Sequence, residues 1–201
     1  MLIKSKLIVW DSGETCKENF YDKIEVLRTV TKLMRCGKVL CALCMGLLNI
    51  HGCYPRHFDG ENGERHDGWI VQGYCAACVK YPALIPSFLL PYKHYKAEII
   101  EAVINEHEAG RNIEDLDGCA ADISTMRRWV RQFKERGAQA IGWLLSILLS
   151  LYNHRISLLK LQNKSLLKQL VRLLCEFRLP KTGGIIGRVN IILTTQNCGF
   201  L

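Results

Sequence analysis

Apolar residues recur every three or four positions in several stretches of this chain, which is the period of an amphipathic helix. The first stretch runs from Thr15 to Met34, and the second begins near Tyr95, where glutamates oppose an apolar face. Gly110 stands where a glycine C-cap would end the second helix. A short helix from about Ile113 to Cys119 is expected to follow it.

The strongest helical pattern lies between Thr125 and Arg136. Four apolar side chains follow one another there at i, i+3, i+4 and i+7, and these are Met126, Trp129, Val130 and Phe133. Ser124 is predicted to be the N-cap, because its hydroxyl can accept a free backbone N–H at the helix start. Gly137 is predicted to end this helix. The preceding helices would pack beneath it through Ile100, Val103, Ile104, Ile113 and Leu116.

The chain beyond Gly137 keeps a helical pattern over residues 138–179, with a break expected around Asn153. Its longest apolar run, Ile141 to Tyr152, has twelve residues, whereas a membrane span needs about twenty. We therefore expect a buried helix there. In the tail, Gly183 to Leu193, glycines precede a β-branched run, which predicts a loop followed by a strand.

Residues 51–58 and 67–74 have the composition of short β-strands separated by glycine-bearing turns. Residues 1–10 alternate more weakly, and a further strand is expected there. Three prolines fall between Pro82 and Pro91. Because proline lacks the N–H that helices and sheets need, this stretch is predicted to be an extended connector whose apolar side chains pack on a neighbour.

Two Cys-x-x-Cys motifs flank the predicted strands. They consist of Cys41 with Cys44 and of Cys75 with Cys78. A two-residue gap lets both thiolates of one motif reach the same ion, and a strand, turn and strand between two such motifs describe a zinc ribbon. Four thiolates complete the tetrahedral shell of Zn²⁺, so the predicted metal site is structural and no catalytic residue is assigned. A His-x-Glu pair beside Cys-x-x-Cys, as in zinc deaminases, is absent from the sequence.

Other soft ligands occur near the first motif, and they keep an alternative ligand set open. These competitors are Cys36, His51, Cys53 and His57. Four further cysteines are widely spaced and are expected to be small core residues, namely Cys16, Cys119, Cys175 and Cys198. The ten cysteines come without a signal-peptide pattern, which favours a reducing compartment and metal binding over disulfides.

Charge is distributed unevenly along the 201 residues, whose net charge is +8. Residues 1–124 hold 14 Lys and Arg against 17 Asp and Glu, whereas residues 125–201 hold 13 against 2. A basic half of this kind is typical of a polyanion binder. The alternative is a solvated lysine-rich helical face. With so few carboxylates in its basic half, the chain is not expected to be a complete two-metal nuclease.

The predicted helix at Thr125–Arg136 leaves its polar residues outward, opposite the apolar stripe. A helix anchored on one face with arginines on the other fits the major groove of DNA. The candidate DNA-binding residues are Ser124, Thr125, Arg127, Arg128, Arg131, Gln132 and Lys134. Thr125 and Arg128 are expected nearest the bases, and Arg131, Lys134 and Arg136 nearest the phosphates.

Several of these segments occur in the same order in a known family. The shared segments are Cys41-x-x-Cys44, the strand from His51 to His57, Cys75-x-x-Cys78, Ile85–Tyr92 and Ser124–Trp129. In them the chain resembles an uncharacterised bacterial family of transposase-like zinc-ribbon proteins with a helix-turn-helix, often found beside mobile elements. The resemblance spans about residues 35–195 and implies a structural Zn²⁺ and a DNA ligand.

This chain departs from that pattern at two points. The glycine that often follows the second cysteine of a ribbon motif is replaced by Met45 and by Val79. The usual glycine of the helix-turn-helix turn is replaced by Ala120-Ala121-Asp122.

We expect an α+β fold, mostly α. It would comprise an N-terminal strand and helix (1–36), a zinc ribbon (37–81), a proline-rich connector (82–94), a helix-turn-helix (95–137) and a C-terminal helical region with a glycine-rich tail (138–201). The expected function is a zinc-stabilised, non-enzymatic protein that binds double-stranded DNA as a transposase-like accessory or regulator, in the bacterial cytoplasm at the nucleoid. A homodimer or a transposase are the candidate protein partners. The helices of residues 138–179 would provide core or a dimer surface, through Leu159, Leu166, Leu170, Leu173 and Leu174. The alternative function is a protein-interaction module that uses the zinc ribbon and the leucine-rich C-terminal helices.

Overall fold

A computed structural model describes residues 7–10, 20–152, 165–177 and 184–194. Within these residues, four strands and five α-helices follow one another, with a one-turn 3-10 helix between the second and third helices. In chain order these elements are β1 (Leu7–Trp10), α1 (Lys23–Arg35), β2 (Asn49–Asp59), β3 (Arg65–Tyr74), β4 (Ala83–Pro86), α2 (Ala97–Glu108), the 3-10 helix (Ile113–Asp115), α3 (Ile123–Tyr152), α4 (Leu166–Glu176) and α5 (Gly184–Thr194). The predicted α+β fold class is confirmed.

The four strands form one sheet in the order β1-β4-β3-β2. β2 and β3 form the predicted antiparallel hairpin, in which Tyr54 lies opposite Ile70. β4 is antiparallel to β3 and parallel to β1, with Val9 opposite Ile85. The proline-rich stretch is therefore a buried strand over part of its length and not only a connector. Its prolines are tolerated because the paired segment is only four residues long and Pro86 is its last residue.

One hydrophobic core lies between α1 and the sheet. Asp22 caps α1, since its side chain accepts the backbone N–H groups of Ile24 and Glu25. The buried face of α1 then packs with the sheet residues and with Phe20, which is fully buried. The predicted start of this helix at Thr15 lies outside the described residues.

A second hydrophobic core is formed by the helices that follow β4. α2 supplies Ile100, Val103 and Ile104 to the same cluster as Trp129 and Phe133 of α3, as predicted. Gly110 follows α2 in the left-handed region at φ +97°, where glycine is favoured, so its prediction as the C-terminal stop is confirmed.

The structure corrects three predictions around α3. The helix does not stop at Gly137 but continues to Tyr152, because its apolar face stays buried through Ala140, Ile141 and Leu144. Ser124 is not the N-cap: Asp122 is, with its Oδ1 accepting the backbone N–H of Ser124 at 2.7 Å. The expected helix at Ile113–Cys119 is only the 3-10 turn Ile113–Asp115. None of the described helices is long and apolar enough to cross a membrane.

The tail prediction was also wrong, because residues 184–194 form α5 and not a loop and strand. Ile186, Val189 and Ile192 of α5 are buried against other elements, and this burial overrides their strand propensity. Leu170, Leu173 and Leu174 of α4 are fully buried in the helical core. The helix break expected around Asn153 lies outside the described residues, and so does Leu159.

Candidate metal centre

The first cysteine motif forms a turn between α1 and β2. The backbone N–H of Met45 donates to the carbonyl of Cys41 at 2.8 Å, and the N–H of Cys41 donates to the carbonyl of Gly46 at 2.9 Å. The N–H groups of Leu43 and Cys44 point to the sulfur of Cys41. This closed turn presents both sulfurs on one side, because only two residues separate the cysteines.

The second motif repeats that geometry at the end of β3. The N–H of Cys75 donates to the carbonyl of Lys80 at 2.9 Å, as Cys41 does to Gly46 in the first motif. The residue after the second cysteine is left-handed in both turns, with φ +56° at Met45 and +52° at Val79. These are the two positions where the sequence lacks the glycine expected after the second cysteine of a ribbon motif. Each turn thus holds a strained non-glycine residue beside its second sulfur.

The four cysteine sulfurs come together as predicted, all within 4.8 Å of one another. The Sγ atoms of Cys41 and Cys78 are 3.9 Å apart, and those of Cys44 and Cys75 are 3.5 Å apart. Four thiolates about 2.3 Å from a tetrahedral Zn²⁺ would be spaced at about 3.8 Å. The residues present therefore fit a four-sulfur metal site, and Cys41, Cys44, Cys75 and Cys78 can hold a metal ion.

Electrostatics of the sulfurs agree with this fit. The backbone N–H of Cys78, helped by neighbouring thiols, lowers the pKa of Cys75 to about 7. The pKa of Cys78 is raised to about 12, because its thiol is hydrogen-bonded to Cys44 and the other sulfurs. Burial raises the pKa of Cys41. The thiol of Cys75 therefore ionises readily whereas those of Cys41 and Cys78 resist, so a cation is needed for Cys41 and Cys78 to become thiolate ligands.

The competing ligands are held elsewhere, outside the four-sulfur group. Cys36 is exposed, the ring of His51 packs edge-on against Tyr81 at 4.6 Å, and His57 pairs with Asp67. Cys53 is half-buried on β2. Of the expected core cysteines, Cys119 is half-buried whereas Cys175 is exposed, which contradicts that expectation. Cys16 and Cys198 lie outside the described residues.

The candidate DNA-binding residues all lie on the first four turns of α3, opposite the helical core. Most of their side chains are solvent-exposed, and Thr125 and Gln132 are half-buried. Along one flank they have partners: Arg127 pairs with Glu114, Arg131 lies 4.0 Å from Glu135, and Lys134 contacts His107 at 2.9 Å.

The other flank of α3 carries a cluster of basic and polar side chains, which the sequence predicted only in part. Lys93 lies in the loop that precedes α2, and its side chain donates to that of Gln132 on α3. The charges of Arg128 and Arg136 also act on Lys93. We call Lys93, Arg128, Gln132 and Arg136 the Lys93 cluster. The sequence shows that the three α3 residues occur at every fourth position, but nothing in it places Lys93 beside them.

Arg56 of β2 joins the sheet to the loop that carries Lys93. Its Nη2 atom donates to the carbonyl of Leu90 at 2.7 Å and to that of Lys93 at 2.5 Å. Close by, the N–H of Asp59 donates to the carbonyl of His94. The hairpin between the two cysteine motifs therefore positions the start of the helical region directly.

Residues 41–129 match a family model described as a domain of unknown function (DUF6431). The match covers less than half of the chain, from Cys41 of the cysteine cluster to Trp129 of α3. It therefore joins the cysteine cluster and the first turns of α3 in one family unit, and its description assigns no activity. No curated protein matched the chain. No solved structure matched it either.

Proposed function

We propose that this protein binds double-stranded DNA through the exposed basic side of α3, and that the four cysteines hold a structural Zn²⁺. The observation that carries the proposal is the arrangement of charge on α3. It presents Arg128 and Arg136 to solvent while its opposite side is locked into the core. A rigid helix with guanidinium groups outward is suited to a duplex groove.

The anchoring of α3 supports a binding role that needs a fixed geometry. Trp129 is 1% exposed and meets the ring of Tyr95 edge-on at 5.0 Å. Met126, Val130 and Phe133 are buried beside it. Arginine side chains on such a helix are positioned by the fold, so less conformational entropy is lost on binding.

The choice of zinc rests on the ligand chemistry. Thiolates are soft ligands, and a closed set of four is typical of structural Zn²⁺. When bound, the metal would offset two of the four thiolate charges and tie the turn after α1 to the end of β3. Arg56 and Asp59 would then transmit that rigidity to the loop before α2, through the carbonyls of Lys93 and His94. An accessory or regulatory role beside a transposase, as the resemblance implies, belongs to the same proposal.

The proposal is tested by titrating a fluorescently labelled mixed-sequence duplex with the zinc-loaded protein and recording anisotropy over a range of salt concentrations. We expect binding whose log affinity falls linearly with log salt concentration, because arginine contacts to phosphate release counterions. Absence of binding at low salt, or an affinity indifferent to salt, would overturn the proposal. Binding selection from random duplexes then shows whether a sequence is preferred.

A second candidate function, a protein-interaction module, is favoured by exposed apolar side chains around the cysteine turns. Met45, Leu47 and Val79 are 58%, 70% and 65% exposed, and Tyr81 is 47% exposed. The leucines of α4 argue for it less, since Leu170, Leu173 and Leu174 are already buried. In this case a duplex would leave the sedimentation coefficient and melting temperature of the protein unchanged, whereas DNA binding would raise both.

A further inference from the structure

The two flanks of α3 differ in the groups that face their cations. On the flank formed by Arg127, Arg131 and Lys134, both arginines have a glutamate partner, Glu114 or Glu135. The 3-10 helix beside Arg127 adds the carboxylate of Asp115. DNA binding through this flank would have to displace its existing ion pairs and would bring phosphates near carboxylates.

The Lys93 cluster lies on the other flank. One side of the helix is lined by residues at every fourth position, namely Arg128, Gln132 and Arg136. Lys93 reaches that row from the loop before α2 and donates to Gln132 in its middle. Both arginines are exposed and Lys93 is half-buried.

Three like charges at this site are held together at an energetic cost. The pKa of Lys93 is lowered first by burial and then by the positive charges of Arg128 and Arg136. Asp122 is a nearby carboxylate, and the charge of Arg128 contributes to lowering its pKa. Its Oδ1 accepts the backbone N–H of Ser124 at the start of α3. A phosphate placed between the three cations would relieve their repulsion.

The fold holds this arrangement in place from the sheet side. Arg56 is desolvated, and it donates to the backbone on either side of the turn that carries Tyr92. Tyr92 has φ +60° and is 82% exposed, so the turn directs an aromatic ring into solvent next to Lys93. Arg56 therefore fixes the loop that presents Lys93 to α3.

We infer that the Lys93 cluster is the element that grips a backbone phosphate of the duplex, and that the Arg127 and Arg131 flank is not. This inference rests on the proposed DNA binding and selects one flank of the helix for it. Gln132 would donate its amide N–H to the phosphate while its Oε1 keeps Lys93 in place.

Two variants of equal charge test the inference. Arg128→Gln with Arg136→Gln removes two positive charges from the cluster, and Arg127→Gln with Arg131→Gln removes two from the opposite flank. In the anisotropy titration we expect the first variant to lose about tenfold or more in affinity and to lower the salt slope by about one to two. The second should stay within about threefold of the unmodified protein. Because the charge change is the same, the difference reports position alone.

A third variant, Lys93→Gln, removes a cluster charge without changing α3, and its loss of affinity should parallel that of the first. Melting temperatures identify any variant that fails to fold, in which case Lys93→Gln decides the test. Equal losses in both double variants, a larger loss on the Arg127 flank, or no loss with Lys93→Gln would overturn this inference while DNA binding stands. A wild-type protein that does not bind any duplex would overturn both proposals.

Discussion

Glu101 and Glu108 lie about two turns apart on α2, and each caps the start of a later helix. Glu101 accepts the backbone N–H of Ile185 at 2.6 Å and that of Ile186 at 3.3 Å, at the start of α5. Glu108 accepts those of Leu166 and Leu167 at 3.1 and 3.3 Å, at the start of α4. One helix thus supplies carboxylates to the N-termini of two others, neither of which has an acidic residue in its own first turn.

Replacing Glu108 should therefore weaken the helical core. Glu108→Ala leaves the N–H groups of Leu166 and Leu167 without their acceptor and should lower the free energy of unfolding by about 1–2 kcal/mol. Glu106→Ala is the matched control, because that residue forms only a surface ion pair with Arg111 and should change stability by less than about 1 kcal/mol. Urea unfolding of the metal-loaded proteins measures both. Similar losses in the two variants would contradict the capping role.

Glu101 should make stability depend on pH. Burial raises the pKa of this carboxyl above its unfolded value, although the N–H groups of Ile186 and Ile185 oppose the shift. Between the unfolded pKa, about 4.3, and the raised folded pKa, the folded state binds more protons than the unfolded state. The contribution of Glu101 to stability therefore falls as pH rises through that window and is constant above it.

The measurement is the difference in unfolding free energy between the unmodified protein and Glu101→Gln at a series of pH values. Loss of metal at low pH affects both proteins and cancels in the difference. A difference that stays constant, or that grows in favour of the unmodified protein with rising pH, would show that the ionised carboxylate is not disfavoured in the fold.

Two helical glycines should respond oppositely to alanine. A Cβ at Gly187 of α5 would lie 2.2 Å from the backbone oxygen of Ser87, whereas one at Gly142 of α3 meets nothing within 4 Å. We expect Gly187→Ala to lower the free energy of unfolding by about 1–3 kcal/mol or more, because the added Cβ clashes with backbone. Gly142→Ala should gain about 0.5–1 kcal/mol through helix propensity. Thermal unfolding of both decides the point, and equal shifts would mean that α5 does not approach Ser87 this closely.

Val79 is expected to be a strained residue whose removal helps the fold. Its φ of +52° disfavours a β-branched side chain, and the side chain is 65% exposed. Val79→Gly should therefore stabilise the metal-bound protein by about 1 kcal/mol. The control is Val171, which is 40% exposed on helix α4. Val171→Gly should destabilise the protein by a few tenths of a kcal/mol or more, because glycine is a poor helix former. If both changes destabilise alike, the second cysteine turn has no strain to relieve.

The local features of this fold were readable from its sequence. The hairpin follows from two strand-like runs between the cysteine motifs. Each two-residue gap brings the two sulfurs of one motif together, and the hairpin brings the two motifs together. The end of α2 at Gly110 was predictable because a left-handed C-cap needs a residue such as glycine. In each case the determining interaction is local.

The errors fall where a distant contact decides the structure. The N-cap of α5 comes from Glu101, more than eighty residues earlier, so the β-branched tail could not be recognised as a helix. α3 passes through Gly137 because the core continues beyond it. The Lys93 cluster combines a loop lysine with a row on α3, and that proximity depends on Arg56, which binds the loop from β2. Sequence spacing carries no information on such contacts.

We propose above that Cys41, Cys44, Cys75 and Cys78 hold one metal ion, which stabilises the fold that supports α3. Native mass spectrometry of the purified protein, combined with X-ray absorption at the zinc edge, tests this metal site. We expect one Zn²⁺ per chain with four sulfur neighbours at about 2.3 Å, and loss of both metal and cooperative unfolding in Cys75→Ser. Protein that carries no stoichiometric metal, or that unfolds identically with and without Cys75, would contradict the account.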